Sequence, residues 1–231
     1  MFKAIVFDLD DTLIDFFNLK VNSLNAAVKA MIKAGLPLEE KQSMLALFDL
    51  HKEHGIEDKE ILNKFLEKHH KLDFRILCHG INAYRITQKK YFKPYDGVIP
   101  TLKKLKKRKN LKLAILSDAP NFKLWLRLVE SGLDGFFDVV VGLDDSGQKK
   151  PSIIPFKLVM QKLELKPEEI LYVGDWPERD IAGAKKVGFK TCLSTYRIIH
   201  PMDDVRKGKL SPELEPDFKI KKFEEILKII K

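Results

Sequence analysis

Four short apolar segments of the chain are each followed by polar side chains of the types used in catalysis. In chain order these side chains are Asp8, Asp10, Ser117, Asp118, Lys150, Asp175 and Asp180. Taken singly, each has a structural explanation, such as a serine that caps a helix or a carboxylate near a helix N-terminus. Their combined occurrence after separate apolar segments indicates instead that they belong to one site.

This set of groups suits an attack on a phosphate ester, whose negative charge must be neutralised while the nucleophile is held in line. Mg²⁺ prefers oxygen ligands and takes one or two carboxylates, for which Asp8 and Asp175 are suited. A carboxylate beside the metal could be the nucleophile. Asp10 could give a proton to the leaving oxygen and then act as a base. Ser117 and Lys150 would bind oxygens of the transferring phosphoryl group.

The apolar segments that precede these residues have the length and composition of buried strands. The predicted strands are residues 3–7, 111–116, 138–141, 170–173 and 190–193. Helical patterns separate them: Phe122, Trp125, Leu126 and Val129, for example, recur at i, i+3, i+4 and i+7. Alternating strands and helices predict an α/β protein with a Rossmann-like parallel sheet sandwiched by helices. Ligands bind at the carboxyl ends of such strands, where the polar residues lie.

Residues 16–93 interrupt this alternation with helical periodicity and no good strand. Apolar residues recur at helical spacing in residues 24–32, 44–48, 61–66 and 74–81. We therefore predict a small α-helical cap domain over residues 16–93, inserted into a catalytic core formed by residues 1–15 and 94–231.

The formal charge of +9 raises the question of an anionic partner such as nucleic acid. Much of the excess lies in residues 103–109 and 219–231, where lysines interleave with apolar residues at helical spacing. This pattern predicts amphipathic helices with solvated lysine faces. Because no aromatic-rich RNA motif or zinc finger accompanies the lysines, we predict no nucleic-acid partner.

The cysteines and the apolar runs bear on the compartment of the protein. Cys78 and Cys192 are far apart in sequence and form no CxxC pair, which favours a reducing, cytoplasmic setting. The apolar start of the chain meets Asp8 at once and does not have the pattern of a signal peptide. Since no apolar run approaches the ~18 residues that span a bilayer, no membrane partner is predicted.

The motifs together resemble the haloacid dehalogenase superfamily, and within it the phosphoglycolate phosphatase-like enzymes with a helical cap after the first motif. The first motif is Asp8-Leu9-Asp10-Asp11-Thr12, and the second is Ser117 after an apolar strand. The third is Lys150-Pro151, whose proline selects Lys150 over the neighbouring Lys149. The fourth runs from Gly174-Asp175 through Asp180 to Gly188. The resemblance covers nearly the whole chain, although the cap matches in position and helical character alone.

The resemblance implies a role for each motif residue. Asp8 would be the nucleophile, and Asp10 the acid and base. The implied phosphate-binding residues are Thr12, Ser117, Asp118 and Lys150. Mg²⁺ would be the cofactor, with Asp8, Asp10 (through its carbonyl) and Asp175 as ligands. Asp180 would act through water or by orienting its loop, and Asp11, where many relatives have glycine, would have no catalytic role.

The predicted function is therefore Mg²⁺-dependent hydrolysis of a small phosphate ester through an aspartyl-phosphate intermediate. A small phosphorylated metabolite would be the substrate, and a homodimer is favoured without a residue-level reason. Asp10, Asp175 and Asp180 argue against a dehalogenase, which does not need them. A sugar-phosphate mutase shares all four motifs and stays open. In a different class, the chain could be a catalytically silent protein that binds a partner through its lysine faces.

Overall fold

The structure, a computed structural model, describes residues 1–196 and 211–230. The chain divides into two compact units. Met1–Asp15 and Lys93–Lys231 form the first, here called the sheet unit, and Phe16–Phe92 form the second, the helical unit. Among the described residues, no helix is long and apolar enough to cross a membrane.

The sheet unit is built on a six-stranded sheet in which every neighbouring pair of strands is parallel. Its strands are β1 (Ala4–Phe7), β2 (Lys112–Leu116), β3 (Val139–Val141), β4 (Ile170–Gly174), β5 (Lys190–Ser194) and β6 (Phe218–Ile220). The spatial order is β3-β2-β1-β4-β5-β6. Strand β1 is fully buried between β2 and β4, and the strand order reverses there. The predicted α/β class with a parallel sheet is confirmed, and the reversal creates the crevice where ligands bind in such folds.

Strand β6 corrects the prediction of an amphipathic helix over residues 219–231. Phe218 and Ile220 alternate with the exposed Lys219, so the segment has the period of two of an edge strand. A helical turn, Phe223–Glu225, and a short helix follow it. The helical spacing of the lysine-rich segment that follows did not indicate a strand at its start.

The helical unit contains four α-helices. They are α1 (Phe16–Lys33), α2 (Glu40–His54), α3 (Ile61–His69) and α4 (Phe74–Tyr91). Asp73 caps α4, because its side chain accepts hydrogen bonds from the backbone N–H groups of Arg75 and Ile76. Apolar residues of all four helices form a common core, which includes Val28, Leu47 and Phe65.

Six α-helices belong to the described part of the sheet unit. They are α5 (Val98–Lys106), α6 (Asn121–Glu130), α7 (Leu143–Ser146), α8 (Ile153–Leu163), α9 (Ala182–Lys186) and α10 (Ile226–Ile229). Phe156, Val159 and Leu163 of α8 are buried against the sheet, as its helical spacing predicts.

Helix α6 has the opposite orientation to the one its apolar periodicity suggests. Its buried residues are Leu124, Arg127 and Leu128. The regularly spaced Phe122, Trp125, Leu126 and Val129 are exposed instead. The periodicity thus indicates the helix correctly but does not identify the face that packs on the sheet.

Candidate active site

The loop after β1 holds Asp8 at the centre of the carboxyl edge of the sheet. The N–H of Asp8 donates to the carbonyl of Val173 in β4 (2.9 Å), which continues the β1–β4 pairing to Asp8. The chain then turns sharply, and the N–H groups of Leu13 and Ile14 donate to the carbonyl of Leu9. Asp11 has a φ of 62° in this turn, a left-handed conformation that Asp and Gly tolerate better than most residues. This conformation explains why an aspartate is tolerated at position 11.

Lys150 and Thr12 fix the carboxylate of Asp8. The Lys150 ammonium lies 2.6 Å from Oδ1 of Asp8. The hydroxyl of Thr12 lies 3.4 Å from Oδ2 of Asp8 and 3.5 Å from Oδ1 of Asp175. Burial raises the pKa of Asp8 well above its usual value, and Lys150 opposes this shift while the nearby carboxylates add to it.

Lys150 is the buried cation of the site. Its ammonium donates to Asp8 Oδ1, to Asp180 Oδ1 (2.7 Å), to the hydroxyl of Tyr172 (3.2 Å) and to the carbonyl of Leu116 (3.5 Å). Burial alone would lower its pKa, but the carboxylates of Asp180 and Asp8 raise the pKa of Lys150 well above its usual value. The ammonium therefore stays charged.

The neighbouring Lys149 is exposed, so burial and contact with Asp8 distinguish Lys150 from it, as the position of Pro151 predicts.

Ser117 and Asp118 follow β2 at the same edge. The N–H of Ser117 donates to Val141 of β3 (3.0 Å), and its buried hydroxyl accepts a hydrogen bond from the N–H of Ala119. One carboxylate oxygen of Asp118 accepts from the N–H of Lys150 (2.8 Å). Because a carboxylate repels phosphate, this geometry favours an indirect role for Asp118, in which it positions Lys150.

Asp175 and Asp180 complete a group of carboxylates that could hold a metal ion. Oxygens of Asp8, Asp175 and Asp180 all lie within 4.8 Å of one another. Such hard oxygen donors fit Mg²⁺. Oδ1 of Asp180 already accepts hydrogen bonds from Lys150 and Tyr172 (2.9 Å), and Oδ2 accepts from the N–H of Trp176 (3.0 Å). These bonds favour an orienting role for Asp180.

The close approach of Asp180 also explains the glycine of the fourth motif. A Cβ atom on Gly174 would lie 2.4 Å from the carboxyl carbon of Asp180. Any larger residue there would displace Asp180, and with it a contact of Lys150.

Asp10 lies in the same loop but its carboxylate is engaged elsewhere. Oδ2 of Asp10 lies 2.5 Å from the guanidinium of Arg127, whose side chain is 6% exposed. Asp10 is not among the three clustered carboxylates, and its predicted ligand atom, the backbone carbonyl, stays a prediction.

Two residues at the site, Arg127 and Tyr172, were missed by the sequence reasoning. Tyr172 is the one hydroxyl in the otherwise apolar strand Ile170–Gly174, and this could have marked it. Arg127 shares the buried face of α6 with Leu124 and Leu128. A charged residue three positions after a buried leucine indicates a buried polar contact, but this can be recognised only when the buried face of the helix is known.

A doubly wound parallel sheet that gathers carboxylates and a buried lysine at its switch point defines the class of α/β proteins that bind their ligands at this edge. A family model for haloacid dehalogenase-like hydrolases matches residues 5–194. The chain therefore belongs to the haloacid dehalogenase-like hydrolase family, which confirms the predicted superfamily.

Several relatives that match the chain along nearly its full length are phosphatases. A glyceraldehyde 3-phosphate phosphatase of Methanocaldococcus jannaschii is 33% identical, over 100% of this chain and 98% of the relative. A phosphoglycolate phosphatase of Aquifex aeolicus is 30% identical, over 99% and 96%. The crystal structure of a HAD phosphatase from Thermococcus onnurineus has a TM-score of 0.68 at 24% identity, over 100% and 98% of the chains, and supports the fold alone. These relatives confirm the predicted class, a phosphoric monoester hydrolase.

Proposed function

We propose that this hydrolase uses Asp8 as a nucleophile and Mg²⁺ as a cofactor to dephosphorylate a small phosphate ester. The observation that carries the proposal is the buried Asp8 carboxylate, which has Lys150 2.6 Å from one oxygen and a carboxylate oxygen of Asp175 within 4.8 Å. A carboxylate held between a fixed cation and further oxygen donors is suited to attack on phosphorus.

The reaction would proceed in two displacements. In the first, an oxygen of Asp8 forms a bond to phosphorus, the bond to the leaving oxygen breaks, and Asp10 gives that oxygen a proton. In the second, Asp10 takes a proton from water, the water oxygen attacks phosphorus, and phosphate leaves Asp8. One residue thus serves as acid and then as base.

The remaining site residues would bind and orient the phosphoryl group. Thr12, Ser117 and Lys150 offer two hydroxyls and an ammonium at the carboxyl edge of the sheet. Asp8, the carbonyl of Asp10, and Asp175 would hold Mg²⁺. When bound, the ion would neutralise negative charge on the phosphate ester.

We infer that the helical unit acts as a cap that excludes water and selects the substrate. Its insertion in the chain directly after the first motif supports this role. The activities of the related phosphatases suggest phosphorylated two- and three-carbon metabolites as substrates, with glyceraldehyde 3-phosphate as the first candidate. We also propose that the protein acts in the cytoplasm, and as a homodimer.

Phosphate release tests the proposal. We would assay glyceraldehyde 3-phosphate, phosphoglycolate and para-nitrophenyl phosphate, each with Mg²⁺ and with a chelator. Metal-dependent release from any of them, lost in Asp8→Asn, supports the proposal, because an amide cannot replace the attacking carboxylate. Release at the wild-type rate by Asp8→Asn would refute the nucleophile assignment. Conversion of a sugar phosphate to its isomer without net phosphate release would favour the mutase.

Mg²⁺ binding should also be measured apart from turnover. Calorimetric titration of Mg²⁺ into the wild-type protein and Asp175→Asn compares the predicted ligand with its neutral isostere. Equal affinity in the two proteins would contradict the metal role of Asp175.

A further inference from the structure

Two tyrosines of the sheet unit, Tyr95 and Tyr196, contact the loop of the first motif. The hydroxyl of Tyr196, which lies two residues after β5, donates to the carbonyl of Thr12. The backbone N–H of Tyr95 donates to the next carbonyl, that of Leu13 (2.9 Å). The two tyrosine rings pack edge to face, with their centroids 5.2 Å apart and an angle of 75° between their planes. Two distant segments of the chain therefore hold two consecutive carbonyls of this loop.

The N–H groups of the same loop are satisfied from within it. The N–H groups of residues 12–14 all donate to the carbonyl of Leu9, at 3.3, 2.9 and 3.2 Å. This closes the turn on the side of its donors. The carbonyls of Thr12 and Leu13 accept hydrogen bonds from outside the loop, from the two tyrosines. These bonds therefore join the turn that carries the catalytic carboxylates to the remainder of the sheet unit.

We propose that Tyr196 is a positioning residue for the hydrolysis reaction, because its hydrogen bond to Thr12 sets the place of the Thr12 hydroxyl. That hydroxyl lies 3.4 Å from Oδ2 of Asp8 and 3.5 Å from Oδ1 of Asp175. The inference rests on the proposed function, in which Asp8 is the nucleophile and both carboxylates bind Mg²⁺. Among the described residues, no hydrogen bond joins Tyr196 to either carboxylate, so it acts through Thr12.

The hydroxyl of Tyr196 is suited to this role because it stays a hydrogen-bond donor. Burial raises the pKa of this phenol, and the carboxylates of Asp175 and Asp8 add to the shift. Burial and nearby carboxylates also raise the pKa of Tyr95, whose hydroxyl donates to Oδ1 of Asp15 (3.3 Å). The edge-to-face contact with the ring of Tyr95 then fixes the direction from which Tyr196 approaches the loop.

Tyr196→Phe tests the inference, because it keeps the ring and removes the donor. In calorimetric titrations of Mg²⁺, the affinity should fall about fivefold, the effect of one lost hydrogen bond. At saturating Mg²⁺, kcat for para-nitrophenyl phosphate should fall about fivefold while KM changes less than about twofold, because the groups that bind phosphate are unchanged. Tyr91→Phe is the matched control, since the hydroxyl of Tyr91, at the end of α4, makes no hydrogen bond among the described residues. It should match the wild type in both assays.

A double-variant cycle tests whether Tyr196 acts through Thr12. Thr12→Val removes the hydroxyl beside the carboxylates but keeps the carbonyl that Tyr196 binds, and should weaken Mg²⁺ binding about tenfold. Once this hydroxyl is gone, the bond from Tyr196 has nothing left to position. The double variant should therefore bind Mg²⁺ about as Thr12→Val does, whereas independent effects would multiply to about fiftyfold.

The possible failures of this inference and of the proposed function are distinct. Mg²⁺ affinity and turnover of Tyr196→Phe equal to those of the wild type would overturn the inference alone, and so would effects that multiply in the double variant. A Tyr196→Phe protein that circular dichroism shows to be unfolded would contradict the local role of the hydroxyl. A wild-type protein that neither binds Mg²⁺ nor releases phosphate would overturn the proposed function and this inference together.

Discussion

Replacing Lys150 with methionine would remove the ammonium that lies 2.6 Å from Asp8 and 2.7 Å from Asp180. The side chains of Lys150, Asp8 and Asp180 are 4%, 9% and 1% exposed, so water cannot solvate the two carboxylates in place of the cation. Breaking a buried ion pair by removing one partner costs about 3–5 kcal/mol. We therefore expect Lys150→Met to lower the free energy of unfolding of the metal-free protein by about this amount, and to abolish turnover.

The same reasoning predicts that the cost depends on the carboxylates left behind. Asp180→Asn removes the negative charge while keeping the shape of the side chain. The double variant Lys150→Met with Asp180→Asn should be less destabilised than the sum of the two single variants by about 2 kcal/mol, a coupling typical of residues in one buried network. Mg²⁺ should stabilise Lys150→Met more than the wild type, because the ion would bring positive charge to Asp8 and Asp175.

Denaturant unfolding in the presence of a chelator, and then of Mg²⁺, measures each of these free energies. Lys149→Met is the matched control, because it removes the neighbouring lysine, which is exposed. We expect its effect to lie within about 0.5 kcal/mol of zero. Two results would show that Lys150 does not compensate the charge of the buried carboxylates. One is a loss of unfolding free energy in Lys150→Met no larger than that in Lys149→Met. The other is a loss in the double variant equal to the sum of the losses in the two single variants.

Three further predictions concern other residues of the two units. Tyr172→Phe removes the hydroxyl that bridges Lys150 and Asp180, and should lower the free energy of unfolding by about 1–3 kcal/mol in denaturant titrations; no change would exclude the bridge. Arg127 contacts Asp10, so Arg127→Met should disturb proton transfer from Asp10 to the leaving group. Hydrolysis of an alkyl phosphate should slow about tenfold more than that of para-nitrophenyl phosphate, whose leaving group needs no proton. Equal losses of rate for the two substrates would contradict the role of Arg127 in positioning Asp10. Burial lowers the pKa of His51 to about 4 from 6.5, so the unfolded chain binds the proton first and stability falls as the pH drops below about 6.5. This loss should reach about 3 kcal/mol at pH 4, and should be absent from the pH dependence of His51→Leu.

The motif residues could be predicted from the sequence because parallel strands all run in the same direction. Asp8 and Ser117 directly follow predicted strands, Asp175 follows one after a single glycine, and Lys150 lies in the loop after another. All parallel strands end at the same edge of the sheet. Asp8, Lys150 and Asp175 therefore come together whatever the details of the intervening helices. Lys150 could even be separated from Lys149, since the proline that follows it matches the third motif.

The remaining contacts depend on which way an element faces, and local sequence does not settle this. Helix α6 has an apolar stripe that predicts a buried face, yet the stripe is exposed and Arg127 lies on the buried side. The contact of Arg127 with Asp10 joins residues 117 positions apart and needs the true orientation of α6. Strand β6 was missed for a related reason, because its few residues precede a lysine-rich segment with helical spacing.

The charges of the site give a reason for a metal ion that does not depend on family resemblance. The carboxylates of Asp8, Asp175 and Asp180 lie close together near the ends of β1 and β4, and Lys150 is the buried cation that contacts two of them. The carboxylate of Asp10, in the same loop as Asp8, pairs with Arg127. Burial and the neighbouring carboxylates raise the pKa of Asp8, and a protonated carboxyl is a poor nucleophile. A phosphate ester would add negative charge and raise this pKa further. A divalent cation beside Asp8 and Asp175 would oppose both effects, so we expect Mg²⁺ to lower the pKa of Asp8 as well as to attract the substrate.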